Sequence, residues 1–193
     1  LKPQVSSPQN PLIRVNPFGD RGRIQDPKRF WGRKEILRRI FEELHKGSSL
    51  SLVGASQVGK SSLLEMVRHW GPQALKLKPE QFIHVDMQIV RNEAEFFEAL
   101  CDALGLPETL RGFRLGRALR DKRYIVCLDE IEKMVSQRHF TGDEREELRG
   151  LADGANAPLS LVIASRSPLN ELFDELGRAS SRERGEISVG AVS

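Results

Sequence analysis

The chain has 193 residues, 39% hydrophobic and 30% charged, which supports one buried core and excludes a disordered or fibrous protein. Lys and Arg number 30 against 27 Asp and Glu, a net charge of +3 that permits an anionic partner without demanding one. Two cysteines cannot build a disulfide framework, and the longest apolar runs, such as Leu159–Ala164, are too short to span a bilayer. No charged-then-apolar leader opens the sequence, so the expectation is a soluble, cytoplasmic chain with no membrane partner. It opens at Leu1 rather than Met, as a piece of a longer protein would.

Residues 1–29 read as an extended arm, interrupted by Pro3, Pro8, Pro11, Pro17 and Pro27. Residues 30–193 read as one core domain. Ile36, Leu37, Ile40, Phe41 and Leu44 share a helical face, with Gly47 as the stop. Leu50–Val53 is a short strand, and a glycine-containing loop follows it. The next helix carries Leu63, Leu64, Met66, Val67 and Trp70 and is expected to end at Gly71-Pro72. Gln81–Val85 reads as a strand. Asn92 caps a helix whose buried stripe is Phe96, Phe97, Leu100, Cys101 and Leu104. A further helix is expected over Glu108–Arg120, then a strand at Tyr124–Leu128, buried on both faces. Thr141 and Glu144 form a capping-box pattern ahead of Leu148 and Leu151. Leu159–Ala164 is another buried strand. Ser167-Pro168 opens a helix with Leu169, Leu172, Phe173 and Leu176, and Glu186–Val189 reads as a last strand. Strands alternating with helices predict a parallel α/β sheet covered on both faces.

The strongest chemical signal is Gly54-Ala55-Ser56-Gln57-Val58-Gly59-Lys60-Ser61, which fits the phosphate-binding pattern G-x-x-x-x-G-K-[ST] between a strand and a helix. Glycines let the loop backbone turn tightly and bring its N–H groups onto a β-phosphate. Lys60 reaches the β- and γ-phosphates, Ser61 offers a hydroxyl to Mg²⁺, and the helix start through Ser62 adds its positive end. The second signal is Tyr124–Leu128 ending in Asp129-Glu130, the pattern of a Walker B element. Asp129 suits the Mg²⁺ shell, and Glu130 suits a general base for water. Asp86, at the end of the strand between them in sequence, is a further acidic candidate. The third signal is Ser165-Arg166, closing Leu159–Ala164 at the rim where such sheets bind ligands. Arg166 suits a forked contact with γ-phosphate oxygens, and Ser165 suits positioning water.

Phe30-Trp31-Gly32-Arg33, a helix, and then the phosphate loop resemble the entry of STAND and AAA+-like P-loop ATPases, including archaeal-type and origin-recognition ATPases. The resemblance covers about residues 16 to 193. It implies the ASCE form of the fold: a three-layer core with a parallel sheet of about five strands and an extra strand between the two Walker strands. It places Trp31, Gly32 and Arg33 beside the adenine and ribose, and Ser165-Arg166 as a sensor of the γ-phosphate. Ala55-Ser56-Gln57-Val58 lacks the Pro- and Thr-rich character of AAA+ unfoldases, which points to the STAND or archaeal-type side. A helical lid is expected beyond Glu186–Val189 and so absent from this sequence, and Arg138, Arg145 and Arg149 are arginine-finger candidates by location alone.

The resemblance implies a domain that binds ATP or ADP with Mg²⁺ and hydrolyses ATP slowly in isolation. It would switch assembly or signalling through self-association or other domains of a longer protein. The alternatives are a non-hydrolysing nucleotide-dependent scaffold and a DNA-associated AAA+-type ATPase. Lys28, Arg29, Lys34, Arg38 and Arg39 offer cations to nucleic acid, but no aromatic platform accompanies them, so that partner is unsupported. Cys101 and Cys127 read as core thiols, and His45, His69, His84 and His139 lack zinc-ligand spacing. The charge run Asp143–Arg149 reads as a solvated helix face, with an oligomer contact as the alternative.

Overall fold

The structure is a computed structural model that describes residues 27, 30, 32–136, 140–154, 156–169 and 185–189. The proline-rich arm therefore lies outside the described residues, apart from Pro27. So does most of the helix expected after Ser167-Pro168; of its apolar residues only Leu169, which is buried, is described.

Five parallel strands form one sheet: β1 (Leu50–Val53), β2 (Phe82–Asp86), β3 (Tyr124–Asp129), β4 (Leu159–Ser165) and β5 (Gly185–Ser188). Their order in the sheet is β2-β3-β4-β1-β5. Among the described residues the α-helices are α1 (Lys34–His45), α2 (Lys60–Leu75), α3 (Glu93–Ala103), α4 (Gly112–Ala118), α5 (Lys133–Ser136) and α6 (Asp143–Ala152).

The strand between the two motif strands in the sheet is β4, whereas β2, which separates them in sequence, takes the edge beyond β3. Composition explains the exchange. All seven residues of β4 are buried, as a central strand with helices on both faces requires. In β2, His84 and Asp86 are only partly buried, which an edge position tolerates.

The sheet has a core on each face, as alternation along the strands demands. One face buries Ile125 and Cys127 of β3 and Val162 and Ala164 of β4 against α1 and α2, through Ile40, Leu44, Leu63 and Val67. The other buries Val126, Leu128, Leu161 and Ile163 against α3, α4 and α6, through Phe96, Phe97, Leu115 and Leu148. The result is a three-layer α/β/α fold of the P-loop type.

Three local expectations need correction. The second helix does not end at Gly71-Pro72 but runs to Leu75, with Lys76 at φ 54° as its left-handed cap. Gly71 lies flat against the Phe82 ring, where an added Cβ would overlap it, so packing onto β2 outweighs the break signal. The helix expected over 108–120 is confined to Gly112–Ala118. Arg111, just before it, is instead engaged in tertiary contacts: its guanidinium pairs with Glu93 and Glu147 and lies 4.4 Å from the centre of the Phe97 ring. The Thr141 box is displaced by one residue. Gly142 is the N-cap of α6, the Glu144 carboxylate accepts its amide at 3.0 Å, and Thr141 donates its hydroxyl to Glu93. By contrast, Asn92 caps α3 as read, accepting the Glu95 amide at 2.9 Å.

Candidate functional site

Parallel strands end together, so β1, β3 and β4 deliver their following residues to one rim. The loop after β1 begins at Gly54, whose amide donates to the Ser165 carbonyl of β4 at 3.2 Å. Gln57 at φ 62° and Gly59 at φ 94° take left-handed conformations that turn the loop into α2. No side chain among the described residues caps α2, so the amides of its first turn keep their positive end toward the loop. Ala55, Ser56 and Gln57 are exposed, while Val58, Gly59, Lys60 and Ser61 are partly buried and Ser62 is buried.

Lys60 bends back over this loop, and its Nζ donates to the carbonyls of Gly54 at 2.6 Å and Ala55 at 2.9 Å. Burial pulls its ammonium below the ordinary lysine value. The carboxylates of Glu132, Asp129 and Glu130 oppose that shift, and the Arg166 charge adds to it. These five side chains thus share one electrostatic neighbourhood, assembled from three loops.

Asp129 ends β3 and is 4% exposed. Glu130 follows at φ 56°, a left-handed conformation that costs a non-glycine residue about 1 kcal/mol or more. Its Oε1 accepts a hydrogen bond from Gln88 Nε2 at 3.0 Å, and Lys133 Nζ stands 4.0 Å from its Oε2. Gln88 is itself placed by Asp86, whose carboxylate accepts the Gln88 amide at 2.9 Å. Asp86 therefore shapes the turn after β2 and stands one step behind Glu130. Ser165 is fully buried, and its Oγ has no hydrogen-bond partner among the described residues. Arg166 is exposed, and its amide donates to Glu132.

The residues before α1 adjoin the loop. The Arg33 guanidinium lies where a Cβ on Gly59 would come within 3.1 Å of it, and burial lowers its pKa from the ordinary value. Gly32 is exposed with φ 87°. Trp31 lies outside the described residues, as does Arg138. Arg145 donates to the Met134 carbonyl at 3.1 Å, and Arg149 lies 3.8 Å from Glu146.

The residues present fit a nucleoside triphosphate with Mg²⁺. Among the described residues, a helix start without a side-chain cap, a lysine bonded to loop carbonyls, a buried aspartate and a serine hydroxyl without a hydrogen-bond partner lie at one rim. Gln88 and Glu132 were not singled out by the sequence. Neither belongs to a motif, and each enters the site through a contact more than thirty positions away in the chain.

A family model described as AAA domain matches residues 42–173. The chain belongs to this family. Among solved structures, the AAA fold here is similar to the Walker-type ATPase PABY2304 of Pyrococcus abyssi, with a TM-score of 0.61 and 20% identity over 88% of this chain and 56% of that one. It is also similar to the ORC2 protein of Aeropyrum pernix, solved as ADPNP-ADP complexes, at TM-score 0.54 and 22% identity over 74% of this chain and 42% of that one. A chain of Drosophila ORC bound to DNA gives TM-score 0.61 and 16% identity over 83% and 43%. The chain spans little more than half the length of these proteins, or less. No curated protein matches the sequence. The family and the sheet order together make this a P-loop AAA+ ATPase domain. Among the described residues, no helix is long and apolar enough to cross a membrane.

Proposed function

We propose that this domain binds ATP with Mg²⁺ at the strand rim and hydrolyses it as the nucleotide switch of a STAND-like protein. The observation that supports the reading is that β1, β3 and β4 lie parallel and side by side, so the loop leading to Lys60, the turn of Asp129 and Glu130, and Arg166 leave the sheet at one rim. Lys60 exchanges its loop carbonyls for the β- and γ-phosphates. The loop amides and the start of α2 hold the phosphate chain. Ser61 and Asp129 are the residues that would hold Mg²⁺, which when bound neutralises phosphate charge. Glu130 takes a proton from water, and Arg166 meets the γ-phosphate. Arg33, packed on the last glycine of the loop, supports the placement of the Gly32-Arg33 box beside the nucleotide and with it the STAND-like reading.

Calorimetry of the Lys60→Ala variant tests the site. Loss of the ammonium costs ATP about a hundredfold or more in affinity, since bonds to charged groups contribute about 1.5–3 kcal/mol each. Unchanged affinity would remove the assignment. A non-hydrolysing scaffold is the reading to adopt if the wild type binds ATP and releases no phosphate.

A further inference from the structure

The turn after β3 is joined to the end of β4 by more than strand pairing. The last ladder pair of these strands is Leu128 with Ile163. Beyond it, the Ile131 amide donates to the Ala164 carbonyl at 3.4 Å, and the Arg166 amide donates to Glu132 Oε1. A carboxylate that accepts a backbone N–H makes a charge-assisted bond, about twice as strong as a neutral one. On the opposite side, the Ser165 carbonyl accepts the Gly54 amide. The Ser165 carbonyl and the Arg166 amide belong to one peptide group, which is planar and rigid. A single plate therefore bonds the phosphate loop through its oxygen and the Walker B turn through its nitrogen. Glu132 is partly buried, and its carboxylate raises the pKa of Lys60 more than Asp129 or Glu130 does. It stands within the charge cluster, and none of the roles assigned above uses it.

We propose that Glu132 is a positioning residue for the γ-phosphate: its carboxylate clamps the Ser165-Arg166 peptide to the turn carrying Glu130, and so sets where the Arg166 guanidinium meets a nucleoside triphosphate. The inference rests on the ATP-binding reading of the site. Ser165 is the last paired residue of β4, so the side chain of Glu132 supplies what the ladder does not, a partner for the next amide. A long arginine pivots about its own Cα. A misplacement of about 1 Å at a reacting centre can cost on the order of a hundredfold. Glu130 rides the same turn two residues earlier, so one clamp fixes the base and the γ-phosphate contact relative to each other.

The test is binding of ATP and of ADP, each with Mg²⁺, to the whole chain by calorimetry. Glu132→Ala is expected to cut the preference for ATP over ADP about ten- to a hundredfold, as Arg166→Ala does, with ADP affinity held within about threefold. Glu132→Gln keeps an acceptor oxygen for the Arg166 amide and retains most of the preference. The double variant Glu132→Ala/Arg166→Ala is no worse than Arg166→Ala alone, because the two residues act as one unit. Glu132→Met keeps the length of the side chain and loses its oxygens, and it repeats the measurement if the alanine variant does not fold. Equal losses for ATP and ADP, an additive double variant, or a glutamine variant as impaired as alanine overturns the clamp. So does a wild type that binds both nucleotides equally. A wild type that binds neither overturns the ATP reading itself, and the clamp with it.

Discussion

Gly54→Ala separates two reasons for the first glycine of the phosphate loop. Gly54 is not among the glycines at positive φ, so its backbone conformation suits alanine. Restricting the unfolded chain would then stabilise the fold by about 0.4–1 kcal/mol. The surroundings argue the other way. A Cβ on Gly54 would lie 2.5 Å from the Val189 carbonyl oxygen and 3.0 Å from Val58 Cγ1. The first of these is backbone and cannot rotate away. It belongs to the residue whose amide donates to the Val53 carbonyl at 2.7 Å, so relieving the clash pulls on that bond. Overpacking costs about 1–3 kcal/mol and a lost hydrogen bond about 1 kcal/mol, so the clash wins by about 1–3.5 kcal/mol. For a domain of this size each kcal/mol is worth roughly 2–4 °C, giving a fall of roughly 2 to 14 °C. Thermal unfolding followed by circular dichroism measures it. A variant that melts at or above the wild type would refute the steric argument and leave phosphate approach as the only reason for the glycine.

Glu130→Gln is expected to keep ATP and lower turnover about 10²- to 10⁴-fold, as read by phosphate release; turnover equal to wild type would remove Glu130 as the base. Gln88→Ala frees that carboxylate of one donated bond and is expected to raise turnover about two- to tenfold, so a fall would show that Gln88 aligns the base rather than restrains it. Lys60 has a folded-state pKa below the ordinary 10.5, so ATP affinity should decline as pH climbs toward that value, with proton uptake on binding. In the same window the empty folded state binds fewer protons than the unfolded chain, so its stability rises with pH; calorimetry in buffers of different ionisation heat reads the uptake, and none at alkaline pH contradicts the shift. Burial pushes the Cys127 thiol up to about 12 and raises that of Cys101, so thiol reagents at mild pH should label the chain only on unfolding. Rapid labelling of the folded protein would contradict the burial.

Much of this arrangement is legible in the sequence because it depends on neighbours along the chain. The unbroken apolar run of Tyr124–Leu128, the cap at Asn92 and the glycine spacing of the phosphate loop are all local. What escapes is set by partners distant in sequence. Gly71-Pro72 reads as a stop until the Phe82 ring is placed against Gly71, where it favours a continuous helix. The intervening strand in sequence is β2, yet the intervening strand in space is β4, an exchange that accords with the partial burial of His84 and Asp86 only once the sheet is assembled. Gln88 and Glu132 carry no motif. Their involvement follows from turns that meet only once β2, β3 and β4 are side by side.

The two glycines of the phosphate loop are each approached by a different element. Val189, just past β5, holds its carbonyl against Gly54, and Arg33, just before α1, holds its guanidinium against Gly59. The loop is thus gripped at both ends by residues outside the phosphate-binding motif, as well as shaped for phosphates. Lys60, which bonds the Gly54 and Ala55 carbonyls, must release them to reach a nucleotide. That exchange takes a restraint off the Gly54 end of the loop, where the Val189 carbonyl rests, while the Gly59 end stays under Arg33. Close-packed contacts of this kind pass on small shifts because neither partner has room to absorb them. On the proposed reading, a change of ligand in the loop would therefore reach β5 through the Val189 carbonyl, while Arg33 holds the Gly59 end in place.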